Sequence, residues 1–258
     1  MNLRECLFTA SDCYKSGRTI IPKGVMVHST GANNPNLRRY VGPDDGSLGP
    51  TSLRFWNRPG VTACVHAFIG KLADGSVATY QTLPWTRRGW HAAKGPLGSA
   101  NNTHIGFEIC EDGLSDASYF EAVYQEAVSL TAYLCRTFGL DPLEPGVVIC
   151  HAEGCRRGVA SNHGDVLHWF PKHGKSMDDF RADVAREMED DMLTEKEIRA
   201  IVRSELEAAE KERAAQPASA WAERGLAEAR KKGITDGSRP LSYATRQEVA
   251  LMVNAIKP

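Results

Sequence analysis

Five short stretches of the chain are almost continuously apolar and rich in Val, Ile and Phe: GVMVH (24–28), TACVHAFIG (62–70), SVATYQTL (76–83), HIGFEIC (104–110) and GVVIC (146–150). Runs of this length and composition predict short buried β-strands. Asp74-Gly75, between the second and third runs, is a hairpin turn signal. The period changes in the run from Ser118 to Gly139. There Phe120, Val123, Tyr124, Ala127, Val128, Leu130, Thr131, Leu134 and Cys135 recur at three- and four-residue steps. This spacing predicts a helix with one face on a sheet, and Gly139 is its expected C-terminal stop. Strands interleaved with a long amphipathic helix, some of them joined as hairpins, predict an α/β fold with a central mixed β-sheet flanked by helices.

After DDFRADVAREMEDD the usage shifts to Ala, Glu, Lys and Arg. Thr194 with Glu197 has the pattern of a capping box opening a helix to about residue 215, with Ile198, Ile201, Val202, Leu206 and Ala209 along one side. Pro217 ends it. The remaining residues read as a helix stopped at Gly233, an Asp236-Gly237 turn, and a second helix capped by Thr245 with Glu248. The expected organisation is a domain over 1–190, a helical linker over 191–217, and a small all-α C-terminal module over 218–258.

Composition narrows the function classes. With 258 residues, 42% of them hydrophobic, the chain can bury one substantial core and a small appendage. Its 31 basic and 32 acidic residues leave a net charge of -1, which provides no overall field for a polyanion, so no nucleic-acid partner is expected. No run approaches the roughly 20 apolar residues of a membrane span, so no membrane insertion is expected. The N-terminal stretch carries Arg4 and Glu5 and lacks the apolar core of a secretory signal. The seven cysteines are odd in number and scattered, the usage of reduced thiols. Synthesis in a reducing cytoplasm without a signal peptide is the expectation. All eight histidines precede residue 174, so the chemistry is expected in the first part of the chain.

His28 and His151 each close an apolar strand-like run and precede a turn-forming or glycine-containing loop. Two imidazoles delivered to one rim are candidate metal ligands, and catalytic zinc is commonly held by three protein side chains with a fourth position open. Asp165, beyond a loop with Gly154, Gly158 and Gly164, is a candidate third ligand; it is also a candidate helix N-cap before VLHWF. Cys155, His163 and His168 compete for the same role, and spacing does not choose among them. In HIGFEIC the alternation of Ile105, Phe107 and Ile109 places Gly106, Glu108 and Cys110 on the opposite face. A carboxylate in so apolar a strand is costly unless it is paired or faces a cleft, which makes Glu108 a candidate general base. His66 and His91 are candidates to line the same cleft.

The segments MVHST, VHAFIGKLADGSVATYQTLPW, GWHAAKG, NNTHIGFEIC and CHAEGCRRGVASNHGD occur in this order. Together, over roughly residues 20 to 185, they make the chain resemble the zinc-dependent N-acetylmuramoyl-L-alanine amidases of type 2, a family that includes phage lysozyme-like amidases and peptidoglycan-recognition proteins. The stretch CHAEGCRRGVASNHGDVLHWFPKHGKSMDDFR is similar, more narrowly, to autolysins and endolysins of phages and prophages of Firmicutes. The resemblance implies the amidase/peptidoglycan-recognition fold and a Zn2+ cofactor held by His28, His151 and Asp165. It implies Glu108 and His163 as catalytic residues, with His163 standing where many relatives carry a lysine and Val65 where some carry a tyrosine. Bacterial peptidoglycan is the implied partner, cleaved at the amide between N-acetylmuramic acid and L-alanine. His66, Trp90, His91, Asn33, Asn34, Asn101 and Asn102 are then the expected substrate-binding residues. The rival expectation is a non-catalytic peptidoglycan-binding protein; the presence of Glu108 beside a full ligand set favours an enzyme. Residues 219–256 resemble one S-layer-homology-like repeat, which implies wall attachment or a homodimer through the C-terminal helices. A phage endolysin acting on the cell wall is the combined expectation.

Overall fold

In the computed structural model, which describes residues 1–51, 53–190 and 195–256, the apolar runs pair into one six-stranded sheet. The elements are β1 (Leu3–Glu5), α1 (Asp12–Lys15), β2 (Gly24–Ser29), β3 (Ala67–Lys71), β4 (Val77–Gln81), β5 (His104–Ile109), α2 (Ala117–Phe138), β6 (Val148–Cys150), α3 (His151–Arg156), α4 (Met177–Asp190), α5 (Glu195–Ala215), α6 (Glu223–Lys231) and α7 (Arg246–Asn254). The sheet order is β1-β4-β3-β5-β2-β6. Among the described strands of this sheet, β3 and β4 are the one antiparallel pair, joined through Asp74-Gly75 with Gly75 in the left-handed region (φ 87°). The expected mixed sheet flanked by helices is therefore the fold.

One sheet face carries Val25, Val27, Ala67, Ile69, Ile105, Phe107 and Ile109, all fully buried beneath α2 and α4. The helix α2 starts at Asp116, whose carboxylate accepts from the Tyr119 N–H, and stops at Gly139 with φ 64°. These are the cap and stop that its sequence requires. The opposite face carries two smaller apolar clusters, one around Tyr40, Phe68 and Tyr80 and one around Met26, Ala92 and Ile149. On this second face the register sets His28 beside Glu108, and Glu108 beside Phe68.

Several elements differ from the sequence expectation. The run 62–70 splits: β3 begins only at Ala67, because Cys64 bridges to Trp90 and His66 hydrogen-bonds to Gly106. The strand β1 is three residues long, too short for a period to show. His151 opens a short helix rather than a loop. The helix α4 buries Met177, Phe180 and Val184, whose three- and four-residue spacing lies inside a stretch otherwise dominated by charge.

The chain divides into two compact units, Met1–Asp191 and Met192–Pro258. In the second, Ile198, Ile201, Val202 and Leu206 are exposed along α5, Gly233 takes φ 69°, and Thr245 and Glu248 form the expected reciprocal cap of α7. Thr194, expected to cap α5, lies outside the described residues. No helix among the described residues is long and apolar enough to cross a membrane.

Candidate active site

His28 lies at the end of β2, and the parallel neighbour β6 hands the chain to α3, whose first residue is His151. That corner is braced. The Glu153 carboxylate accepts from the Cys150 N–H at 3.0 Å, and Arg181 on α4 donates to both Glu153 oxygens at 3.1 and 3.2 Å and to the Val148 carbonyl at 2.9 Å.

Asp165 is brought back to these histidines by the residues just after it. Val166 adopts φ 58°, a conformation in which a β-branched side chain is strained. It is held there by burial in the main core with Trp169 and Phe170, and its N–H donates to Ser29 Oγ at 3.2 Å. His168, three residues on, pairs with Glu111 at 2.8 Å and ties the same segment to the chain leaving β5. Asp165 Oδ2 thereby lies 2.9 Å from His28 Nδ1 and 3.1 Å from His151 Nδ1, and the two Nδ1 atoms are 3.2 Å apart.

Among the described residues, His28, His151 and Asp165 form the group of side chains that could hold a metal ion, with ligand atoms all within 4.8 Å of one another. A tetrahedron with bonds of about 2.0–2.1 Å has edges of about 3.3 Å, close to the separations seen here. Two imidazole nitrogens and one carboxylate oxygen suit zinc, and three ligands leave a position open. Burial works against ionisation of Asp165, but hydrogen bonds with His151 and His28 overcome it and hold the carboxyl well below the usual carboxylate range. Burial pushes His28 down, toward the neutral form that can donate a lone pair, with Asp165 acting in the opposite direction. Cys155 and His168 are not in this group, and His168 is spent on Glu111.

Glu108 occupies the half-buried position of β5, and its Oε2 is buried without a hydrogen-bond partner. Burial, with the charges of Asp165 and Glu111 adding to it, raises its pKa well above the ordinary value. An unpaired carboxyl of this kind, one strand from the metal-type group, is able to take up and release a proton. The His163 ring lies 4.7 Å from that of His151, and Ser161 Oγ bridges the two, 3.1 Å from His151 Nε2 and 2.9 Å from His163 Nδ1.

The remaining expected residues separate by burial. His66 is fully buried: its Nδ1 accepts from the Gly106 N–H at 3.0 Å and its Nε2 donates to the Arg87 carbonyl at 2.6 Å. Asn101 is also fully buried; its Oδ1 accepts from the His91 and Ala92 N–H groups at 2.8 and 2.9 Å. Both are buried with these atoms committed to the fold, where they build the wall of the site. His91 has its two nitrogens committed to His28 (3.0 Å) and the His104 carbonyl (3.2 Å), and it too supports the site from behind. Asn34 Oδ1 accepts from the Asn36 N–H within its own turn. Asn33 and Asn102 are exposed, and Trp90 is 47% exposed with the Arg88 guanidinium over its ring and Asn102 bonded to Arg88. Sequence reasoning did not single out Ser161. It placed Gly106 on this face without a role; the signal available was a glycine inside a strand, a mark of close approach.

The family described as N-acetylmuramoyl-L-alanine amidase matches residues 17–166. The chain is 27% identical over 136 residues to N-acetylmuramoyl-L-alanine amidase CwlH of Bacillus subtilis (strain 168), which covers 53% of this chain and 46% of that protein. It thus spans about half the length of that curated relative. Among solved structures it resembles the Staphylococcus aureus hydrolase AmiA in complex with its ligand, with TM-score 0.55 and 17% identity over 73% of this chain and 83% of the other. It also resembles PlyL (TM-score 0.51, 19% identity, 71% of this chain and 97% of the other) and the catalytic domain of XlyA (TM-score 0.50, 22% identity, 71% and 99%). At these identities the structural likeness speaks for the fold.

Proposed function

This chain belongs to the N-acetylmuramoyl-L-alanine amidase family, and we propose that it hydrolyses the amide between N-acetylmuramic acid and L-alanine in bacterial peptidoglycan with the help of a bound zinc ion. The observation that carries this reading is the convergence of His28, His151 and Asp165, with the unpaired carboxyl of Glu108 in register beside His28. These three residues would hold the ion. Zinc bound there would supply Lewis acidity, polarising a poor electrophile and making water acidic enough to attack near neutral pH.

The protein's own groups carry the protons. Glu108 takes a proton from the attacking water and returns it to the leaving amine. His163 donates a hydrogen bond to the carbonyl oxygen as charge develops on it; a donor so placed is worth on the order of 100-fold to 1000-fold in rate. Trp90, with Arg88 and Asn102 beside it, offers an exposed aromatic face to sugar or peptide, and Asn33 an exposed amide.

On this reading residues 1–190 are the catalytic domain, 191–217 a helical linker and 218–258 a wall-attaching module of the S-layer-homology type. The protein is then an endolysin of a phage or prophage that acts on the cell wall, a role supported by the resemblance carried by residues 150–181. The apolar stripe of α5 would be the seam of a homodimer. Incubation with purified sacculi tests the central claim. Free L-alanyl amino termini are expected to appear, to vanish with a chelator and to return with zinc, and His28→Ala is expected to lose zinc and hydrolysis together. Retention on sacculi with no new amino termini at any zinc concentration would identify a binding protein and refute the reading.

A further inference from the structure

The outer nitrogens of the two histidines at the candidate metal centre are both occupied, by different partners. His28 Nε2 meets His91 Nδ1 at 3.0 Å, and His91 passes on to the His104 carbonyl, where the chain of contacts ends on backbone. His151 Nε2 meets Ser161 Oγ, and that contact continues to a third imidazole, His163. Ser161 is not free to wander, because its N–H donates to the Ala92 carbonyl at 3.0 Å and Ala92 is itself held by Asn101.

One constraint at His151 gives these hydrogen bonds their starting direction. Nδ1 is the His151 atom that faces Asp165 and His28, so it is the atom given to a metal. A neutral imidazole whose Nδ1 lone pair is so committed carries its proton on Nε2. That N–H donates to Ser161 Oγ. A hydroxyl has one proton and two lone pairs; with His151 donating into one lone pair, the hydroxyl proton is free to bond to its other neighbour, His163 Nδ1, and that arrangement uses the donor and the acceptor of both groups. A His163 that accepts at Nδ1 carries its own proton on Nε2, the nitrogen on the far edge of the ring, for which the described residues supply no partner.

We propose that Ser161 is a positioning residue that relays the hydrogen-bond polarity of His151 to His163 and holds His163 in the tautomer with an outward Nε2–H. The inference rests on the zinc amidase reading and deepens it. It gives His163 the donor that the amide oxygen needs without requiring the imidazole to be a cation, which is how a histidine can serve where relatives carry a lysine.

Long-range proton–nitrogen correlation spectra of the imidazoles in the zinc-loaded full chain test this, with His163 assigned by the signals lost in His163→Asn. The wild type is expected to show His163 protonated at Nε2 and accepting at Nδ1. Ser161→Ala is expected to give mixed tautomers at His163, to weaken zinc about 10-fold to 100-fold in chelator competition, and to lower kcat with KM unchanged at saturating zinc. Ser161→Thr, which keeps the hydroxyl, is expected to restore all three. A wild-type His163 protonated at Nδ1, or a His163 spectrum indifferent to Ser161→Ala, overturns the relay while the metal centre stands. A chain that takes up no zinc overturns the relay and the zinc reading together.

Discussion

Gly106→Ala tests whether the wall behind His28 controls the metal centre. Gly106 sits on β5 opposite Met26 of β2, and the His91 ring lies directly over it. A methyl group there would come within 2.6 Å of His91 Cε1 and closer still to Nδ1 and Cγ, well inside van der Waals contact. The ring cannot swing aside cheaply. Its Nδ1 is held by His28, its Nε2 by the His104 carbonyl, and its backbone N–H by Asn101. Either the strand shifts or His91 leaves. Overpacking of this kind costs about 1–3 kcal/mol. For a unit the size of Met1–Asp191, where each kcal/mol moves Tm by about 2–4 °C, that is a fall of about 2–12 °C. Loss of the partner at His28 Nε2 is expected to weaken zinc a further 10-fold to 100-fold, the usual effect of removing such a support, read by competition with a chromophoric chelator. His91→Ala supplies the control. If the steric route through His91 is right, Gly106→Ala adds little to the zinc defect on a His91→Ala background, because the two changes remove one interaction. A Gly106→Ala protein with wild-type Tm and zinc affinity would refute the argument, as would a full second loss of affinity in the double variant.

Two buried titratable groups give further expected outcomes. Glu108→Gln is expected to keep zinc and lose hydrolysis by about 100-fold to 10,000-fold, measured on sacculi. Because burial raises the Glu108 pKa in the folded state, the unfolded chain gives up that proton first as pH rises above the ordinary value of 4.5; wild-type stability therefore declines through that window, and the variant should lack this decline in metal-free denaturation. His66 behaves in the opposite sense. Burial pushes it from 6.5 down to about 4, so the unfolded chain takes up the proton first as pH falls; its contribution is complete above 6.5 and lost on the way to about 4. A shift of that size corresponds to about 3 kcal/mol, and unfolding free energies from urea titrations at pH 7 and pH 4 should differ less in His66→Gln than in the wild type by that amount. Parallel pH profiles would contradict the assignment.

The parts of the site that could be read from the chain are those that depend on period. Strand-like runs ending in His28 and His151, and the alternation that turns Glu108 away from Ile105 and Phe107, are local patterns, and pairing β2 with β5 and β6 converts them into neighbours. On spacing Asp165 is one candidate among several, and only the resemblance singles it out. What selects it over Cys155, His163 and His168 is long-range: the strained Val166 seated in a core with Trp169 and Phe170, and the Ser29 hydroxyl that meets its N–H. No spacing within 151–168 encodes that.

The same limit holds for the residues expected to bind substrate. A histidine or asparagine in a motif marks the site's neighbourhood, but whether it touches substrate or frames the residues that do is decided by burial and by which of its atoms are already spent. Asn101 shows the difference most clearly. It is among the residues expected to bind substrate; in the fold its single amide oxygen accepts from the N–H groups of both His91 and Ala92. His91 supports His28, and the Ala92 carbonyl receives the N–H of Ser161, which supports His151. The outer partners of both candidate imidazole ligands therefore hang from one buried side chain, so that the spacing between them is set by a group that never meets the metal.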